Sequence, residues 1–209
     1  TWNPEMSALY GKSIGEEARY RDKDVLLGPG VNIYRTPLNG RNFEYMGEDP
    51  FLSARMVVPY VQGVQQNGVA ACVKHFAVNN QETLRMSVSA EVDERALREI
   101  YLKGFEICVK KAQPLTVMSS YNLLNGLWAS QNRELLTDIL RGEWGFEGMV
   151  TTDWYTHAPQ YTEIAAGNDV KMGCGDPAHV LQMMREGRLK REDVVVSVRR
   201  LLEMILKLA

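Results

Sequence analysis

The chain has 209 residues, 45% hydrophobic and 24% charged, with a formal net charge of −2. That length supports one sizeable core, and the near balance of charge gives no electrostatic case for nucleic acid or an anionic membrane surface. No apolar run is long enough to span a bilayer. Cys72, Cys108 and Cys174 form neither a CxxC pair nor a zinc spacing, so they read as buried free thiols in apolar contexts.

Asn3-Pro4 is a helix start, with the carboxamide as cap and proline at the first helical position, and a helix is expected over 4–21. Two short apolar runs follow, DVLLG (24–28) and VNIY (31–34), both expected as strands. The LLGPG stretch is a turn and no phosphate-cradling loop. TPLNGRNFEYMGEDP is turn-rich and carries Arg41, Glu44, Glu48 and Asp49; Asp49-Pro50 caps a second helix over 50–67. Arg41 reads equally well as a ligand contact or as the salt-bridge partner of Glu44 or Glu48.

ACVKHF (71–76) is a strand that delivers Lys74 and His75 to a loop holding Asn79, Asn80, Gln81, Glu82 and Arg85. So many donors suit a hydroxyl-rich ligand as well as an ordinary polar loop, and Phe43, Tyr121 and Trp154 offer aromatic surface for sugar ring faces. VSAEV (88–92) is a candidate small extra strand. The helix over 94–112 shows Leu97, Ile100, Tyr101, Phe105 and Cys108 at spacings of three and four. LTVMSSY (115–121) and GMVTTDW (148–154) are strands ending on Tyr121-Asn122 and Asp153-Trp154, and NDVKMG (168–173) is the last strand. Asp176-Pro177 caps a helix over 177–187, and a final helix over 191–207 carries Val194, Val198, Leu201, Leu202 and Ile205.

Alternating strands and helices at this pace mean parallel βα units, and the continuous apolar runs suit strands covered on both faces. Lys74-His75, Tyr121-Asn122 and Asp153-Trp154 all lie at C-terminal strand ends, where parallel α/β architectures, barrels above all, assemble ligand sites. Asp153 alone also reads as a turn or a helix cap. His75, His157 and His179 share no ligand spacing and there is no GxSxG elbow, so neither a metal, a cofactor nor a serine hydrolase is expected.

The ordered blocks TWNPEM, LLGPGVNIYRTPLNGRNFEYMGEDP, VKHFAVNNQETLR, DERALREIYLKGFE, VMSSYNLLNG, LLTDILRGEWGFEGMVTTDW and NDVKMG resemble glycoside hydrolase family 3 over essentially the whole chain. The resemblance implies a TIM-like (β/α) barrel followed by an α/β sandwich domain. Residues 1–209 match the barrel domain without its first strands, and the sandwich is expected elsewhere in the polypeptide. It implies retaining, exo-acting hydrolysis of β-linked glucosides or oligosaccharides, with Asp153 as nucleophile. Arg41, Lys74, His75 and Arg85 then bind the glycone, Met118 and Tyr121 contact sugar and nucleophile, and Trp154 is the aromatic wall. On the same reading Lys74 and Arg85 keep Asp153 ionised and Tyr121 orients it. Thr152 stands where the family usually has serine. The loop after KHF has no histidine, unlike the N-acetylhexosaminidase branch, which favours the β-glucosidase-like branch.

The acid/base glutamate of that branch lies on the sandwich, so the 209 residues alone are expected to be inactive. The alternatives are a β-xylosidase or other β-glycosidase of the same family, a non-catalytic sugar-binding fragment, and an aldolase-like barrel using Lys74 as a Schiff-base amine.

Overall fold

The structure, a computed structural model, describes residues 2–208. In chain order its elements are α1 (Pro4–Tyr20), β1 (Val25–Leu26), a 3₁₀ turn (Asn42–Glu44), α2 (Pro50–Gln65), β2 (Ala70–Phe76) and β3 (Ser89–Ala90). Then come α3 (Glu94–Ala96), which runs through a π-helical turn (Leu97–Tyr101) into α4 (Lys103–Ala112), β4 (Thr116–Ser119), β5 (Leu123–Leu124) and β6 (Leu127–Trp128). A π-helical segment (Glu134–Glu143), β7 (Met149–Thr152), α5 (Gln160–Ala166), α6 (Pro177–Arg185) and α7 (Arg191–Leu208) complete the order.

The three proline-led caps form as the sequence requires. Asn3 accepts from the Glu5 and Met6 amides, Asp49 from Leu52 and Asp176 from His179, which satisfies donors that a helix start leaves orphaned. Against α1, α2 packs closely enough that a Cβ on Gly63 would lie 2.4 Å from the Ala8 carbonyl oxygen. Any larger residue there would separate the pair.

β1, β2, β4 and β7 form one parallel sheet in that order. Residues of β4 and β7 are buried throughout, and β2 is buried at every position except Lys74. The sheet is thus covered on both faces by its helical crossovers. Phe76 packs edge-on against Phe105 and Trp144, at centroid distances of 5.2 and 5.8 Å, which ties the sheet to α4 and to the end of the π-helical segment. The small extra strand exists as β3, in a second sheet parallel to β5 and beside the hairpin of β5 and β6.

Two expected strands are reduced to single bridges. VNIY (31–34) forms no regular strand, although Gly30 bridges Lys74 and the Val31 amide donates to the Lys74 carbonyl at 2.7 Å. Beyond that point the Asn32 carboxamide takes over the ladder, accepting from the His75 amide at 2.7 Å and donating to the His75 carbonyl at 2.9 Å. NDVKMG makes one bridge, Thr151 to Val170, held by backbone bonds from Val170 to the Val150 carbonyl at 3.1 Å and from Thr152 to the Val170 carbonyl at 2.9 Å, with the Asp169 carboxylate accepting the Val150 amide at 2.8 Å beside it. Two helices absent from the sequence reading are present, Glu134–Glu143 and Gln160–Ala166. Cys72 and Cys108 are buried free thiols, whereas Cys174 is exposed in the loop after the Thr151–Val170 bridge and so departs from the expected burial.

Candidate active site

Parallel pairing brings the C-terminal ends of β2, β4 and β7 side by side, and each delivers polar residues there. At the end of β7 the chain turns so that the Asp153 amide donates to the Ser119 carbonyl at 3.1 Å. The Asp153 side chain caps no helix, since the residue preceding α5 is Pro159. Its Oδ1 accepts from the Trp154 amide at 2.8 Å. Oδ2 is buried and has no hydrogen-bond partner among the described residues. A buried carboxylate oxygen left unpaired costs free energy on the order of 1–3 kcal/mol or more, so its persistence calls for an explanation beyond folding.

The surroundings of Oδ2 come from two other strands. His75 Nε2 lies 3.6 Å away, on a side chain only 1% exposed. The β2–β4 register shifts between Val73 and Phe76, a bulge of the kind that re-aims side chains next to sites. Burial first, then the charges of Arg41, Lys74 and Arg85, hold the imidazole well below its ordinary pKa, so His75 is neutral. From the end of β4, Tyr121 faces the same carboxylate. Burial and the Asp153 charge push its phenol up to about 12, yet it completes no bond to Oδ2. Arg85 stacks its guanidinium 4.8 Å from the Tyr121 ring centroid.

The cations are themselves held by acids. Glu44 takes Arg41 on Oε1 and Lys74 on Oε2, the latter at 3.3 Å, and Glu82 takes Arg85 at 2.8 Å. Of the two readings of Arg41, the salt bridge to Glu44 therefore forms, and the field of Arg41 still reaches Asp153. Burial dominates at Asp153 and raises its pKa above the ordinary value. The Trp154 amide, Tyr121, Arg41 and Arg85 pull the other way. Of Lys74 and Arg85, the two cations expected to keep this carboxyl ionised, Arg85 acts on it together with Arg41, Lys74 does not, and burial outweighs both. Lys74, salt-bridged to Glu44, is placed as a cation and poorly suited to act as a Schiff-base amine.

Met118 lies 2% exposed in β4, in register with Thr151. Trp154 is half-exposed beside the carboxylate, its ring tilted 40° against Tyr155, and both rings pack over Gly173 at φ +82°. Phe43 projects to solvent at 87% exposure and is not brought to this cluster. Among the described residues no group of three or more histidine, cysteine, aspartate or glutamate side chains has metal-binding geometry.

Sequence reasoning missed Tyr45 altogether, read Glu44 only as one possible partner of Arg41, and read Asn79 only as one donor of a polar loop. Glu44 bridges two cations of the site, Tyr45 places its hydroxyl 3.1 Å from His75 Nδ1, and Asn79 donates to the Tyr45 hydroxyl at 3.4 Å. Glu44 and Tyr45 sit within GRNFEYMGEDP, where the only available signal was the density of charge around Arg41.

A parallel α/β sheet that gathers an acid, an imidazole and several cations at its strand ends is the arrangement of a barrel-type ligand site. The chain belongs to glycosyl hydrolase family 3, whose N-terminal-domain model matches residues 1–204. It is 48% identical to a beta-glucosidase of Bacteroides ovatus over 225 residues, covering all of this chain and 30% of that protein. It is also 47% identical to an exo-alpha-(1->6)-L-arabinopyranosidase of Bifidobacterium breve, covering 90% of this chain and 25% of that protein. Beta-glucosidase 3B from Thermotoga neapolitana, solved in complex with glucose, superposes with a TM-score of 0.96 at 49% identity, over 99% of this chain and 30% of that one. The parallel sheet is thus part of a TIM-like barrel, and the chain spans about 30% of the length of the first relatives it matches.

Proposed function

We propose that the polypeptide carrying this chain is a retaining β-glycosidase acting on terminal β-linked glucosides, with Asp153 as nucleophile. The observation that supports this most is the buried, unpartnered Oδ2 of Asp153 beside a neutral imidazole and a phenol. In the apo site that oxygen is committed to nothing, so it is free to attack an anomeric carbon. Oδ1, held by the Trp154 amide, fixes the plane of the carboxylate.

The chemistry needs a second carboxyl roughly 5–5.5 Å away to protonate the leaving oxygen and later to activate water. We assign that group to the part of the polypeptide outside these 209 residues, on the sandwich domain that the resemblance implies. Arg41, Lys74 and Arg85 then bind glycone hydroxyls while keeping their contacts to Glu44 and Glu82, Met118 and Tyr121 line the sugar, and Trp154 covers a ring face. His75, neutral, donates a hydrogen bond and takes no part as a base. Bond formation at Asp153 gives a glycosyl ester, which water cleaves with net retention.

The names of the relatives support a β-glucoside as the first substrate to test, and the arabinopyranosidase among them keeps other terminal pyranosides in the panel. The test is hydrolysis of nitrophenyl β-glycosides by the full-length polypeptide, with the first-formed anomer read by NMR. Release of the β-anomer first is expected; the α-anomer first, or no hydrolysis of any member, refutes the reading.

A further inference from the structure

We propose that Tyr45 and Asn79 are positioning residues that hold His75 as the tautomer protonated on Nε2, with that proton facing Oδ2 of Asp153. The proposal rests on the assignment of Asp153 as nucleophile for its catalytic consequence, but not for the tautomer itself.

Three contacts form a line. Asn79 Nδ2 donates to the Tyr45 hydroxyl at 3.4 Å, that hydroxyl lies 3.1 Å from His75 Nδ1, and His75 Nε2 lies 3.6 Å from Asp153 Oδ2. All four side chains come from residues that are at most 5% exposed. A phenol has one proton and two lone pairs. Because the oxygen of Tyr45 accepts from Asn79, its proton is free to go to Nδ1, which must then carry the lone pair. A neutral imidazole has one N–H, and it is left on Nε2. The far end of the line demands the same outcome. Turned the other way, an imidazole lone pair would face a carboxylate oxygen that no other donor satisfies.

The rest of the surroundings keeps the ring in place without specifying the tautomer. The His75 backbone is clamped by Asn32 through both its amide and its carbonyl, and Tyr45 meets the imidazole edge-on at 6.2 Å between ring centroids. Tyr45 is itself fixed at 4% exposure, and its carbonyl accepts from the Tyr34 hydroxyl at 2.5 Å. Among the described residues only the Tyr45 hydroxyl bonds Nδ1, so the choice of tautomer is made there. Tyr45 thereby decides whether the nucleophile meets a donor or a lone pair, as the partner of one ring nitrogen sets the proton on the other.

Nitrogen-15 NMR of the full-length polypeptide, with His75→Gln used to assign the His75 signals, tests this directly. The wild type should show a protonated Nε2 and an unprotonated Nδ1. Tyr45→Phe should move both shifts toward a tautomer mixture and lower kcat/KM about tenfold or more, with KM changed less than kcat. Asn79→Asp supplies an acceptor that takes the Tyr45 proton, and should invert the tautomer to Nδ1–H even if Tyr45→Phe folds poorly. A wild-type His75 protonated on Nδ1 would overturn the proposal, as would variants whose nitrogen shifts match the wild type. The NMR needs no turnover, so a failed nucleophile assignment and a failed tautomer assignment give separate results.

Discussion

Asp153 follows β7 directly and Asp169 lies after α5 on the segment that bridges β7 at Thr151 and Val170; both are buried and both are raised in pKa chiefly by that burial. Their partners differ. Asp169, with no exposed side-chain surface, takes Arg141 at 2.9 Å and the Val150 amide at 2.8 Å on Oδ2, and Arg200 at 3.2 Å on Oδ1. Arg141 also donates to the carbonyls of Phe146, Gly148 and Gly167, so one carboxylate sews β7 to the π-helical segment and α7. Asp153 has one amide on one oxygen and nothing on the other. A third buried acid, Glu163, sides with Asp169, since Thr156 and Lys171 satisfy its two oxygens at 2.7 and 2.8 Å. Burial alone therefore does not mark a reactive carboxylate. Asp153 differs from Asp169 and Glu163 in having an oxygen that no described residue bonds. Glu82 Oε1 shares that feature, but Oε2 of Glu82 is paired with Arg85, whereas neither oxygen of Asp153 has a cation on it.

Asparagine at each position separates the two roles. Asp153→Asn in the full-length polypeptide should lower kcat about 10⁴-fold or more and leave the melting temperature unchanged or higher, since an unpaired buried charge is removed. Retained turnover would place Asp153 with the structural acids. Asp169→Asn should do the reverse. It strips two arginines of their charge partner and should cost about 3–5 kcal/mol in denaturant unfolding, with any activity loss following the unfolded fraction. A stability loss under about 1 kcal/mol would break the comparison.

The pH dependence sharpens it further. Attack requires the ionised carboxylate, so kcat/KM should fall as pH drops through a value above 3.8, the ordinary aspartate figure from which burial lifts Asp153. Linkage to folding runs opposite to the usual acid case. With the folded pKa raised, the unfolded chain releases its proton first, so the Asp153 contribution to stability declines as pH rises from 3.8 toward the folded value, and stays low above it. Subtracting the Asp153→Asn stability profile from the wild type should expose that slope; a difference that rises with pH instead contradicts the raised pKa. The smallest effect is expected at Trp154, whose half-exposed ring packs against Tyr155. Trp154→Ala should weaken glycone binding by about 1 kcal/mol, seen in KM more than in kcat.

Much of this was legible in the residues because local chemistry decides it. The Asn3, Asp49 and Asp176 caps, the buried runs ending at His75, Tyr121 and Asp153, and the small strand at Ser89 follow from propensity and period. Elsewhere a side chain took over a backbone role. Asn32 carries the pairing that a strand at 31–34 was expected to make, and no periodicity reports such a substitution. The Glu134–Glu143 helix was legible and went unread: Asn132 accepts the Leu135 amide at 3.0 Å at its start, and Leu135, Leu136, Ile139 and Leu140 recur at spacings of one and four on its buried face. At the site, Glu44 was readable as a partner of Arg41 three residues away, but not as the partner of Lys74, which it meets only after the turn at 42–44 folds onto β2.

The claim at the centre is that the uncommitted oxygen of Asp153 is the atom that bonds to sugar. Incubation of the full-length polypeptide with a 2-fluoro β-glucoside, followed by peptide mapping, measures it most directly. One glycosyl unit on the peptide carrying Asp153, absent in Asp153→Asn, is the predicted result; a label on Glu44, on Asp169 or on any other carboxylate would contradict it.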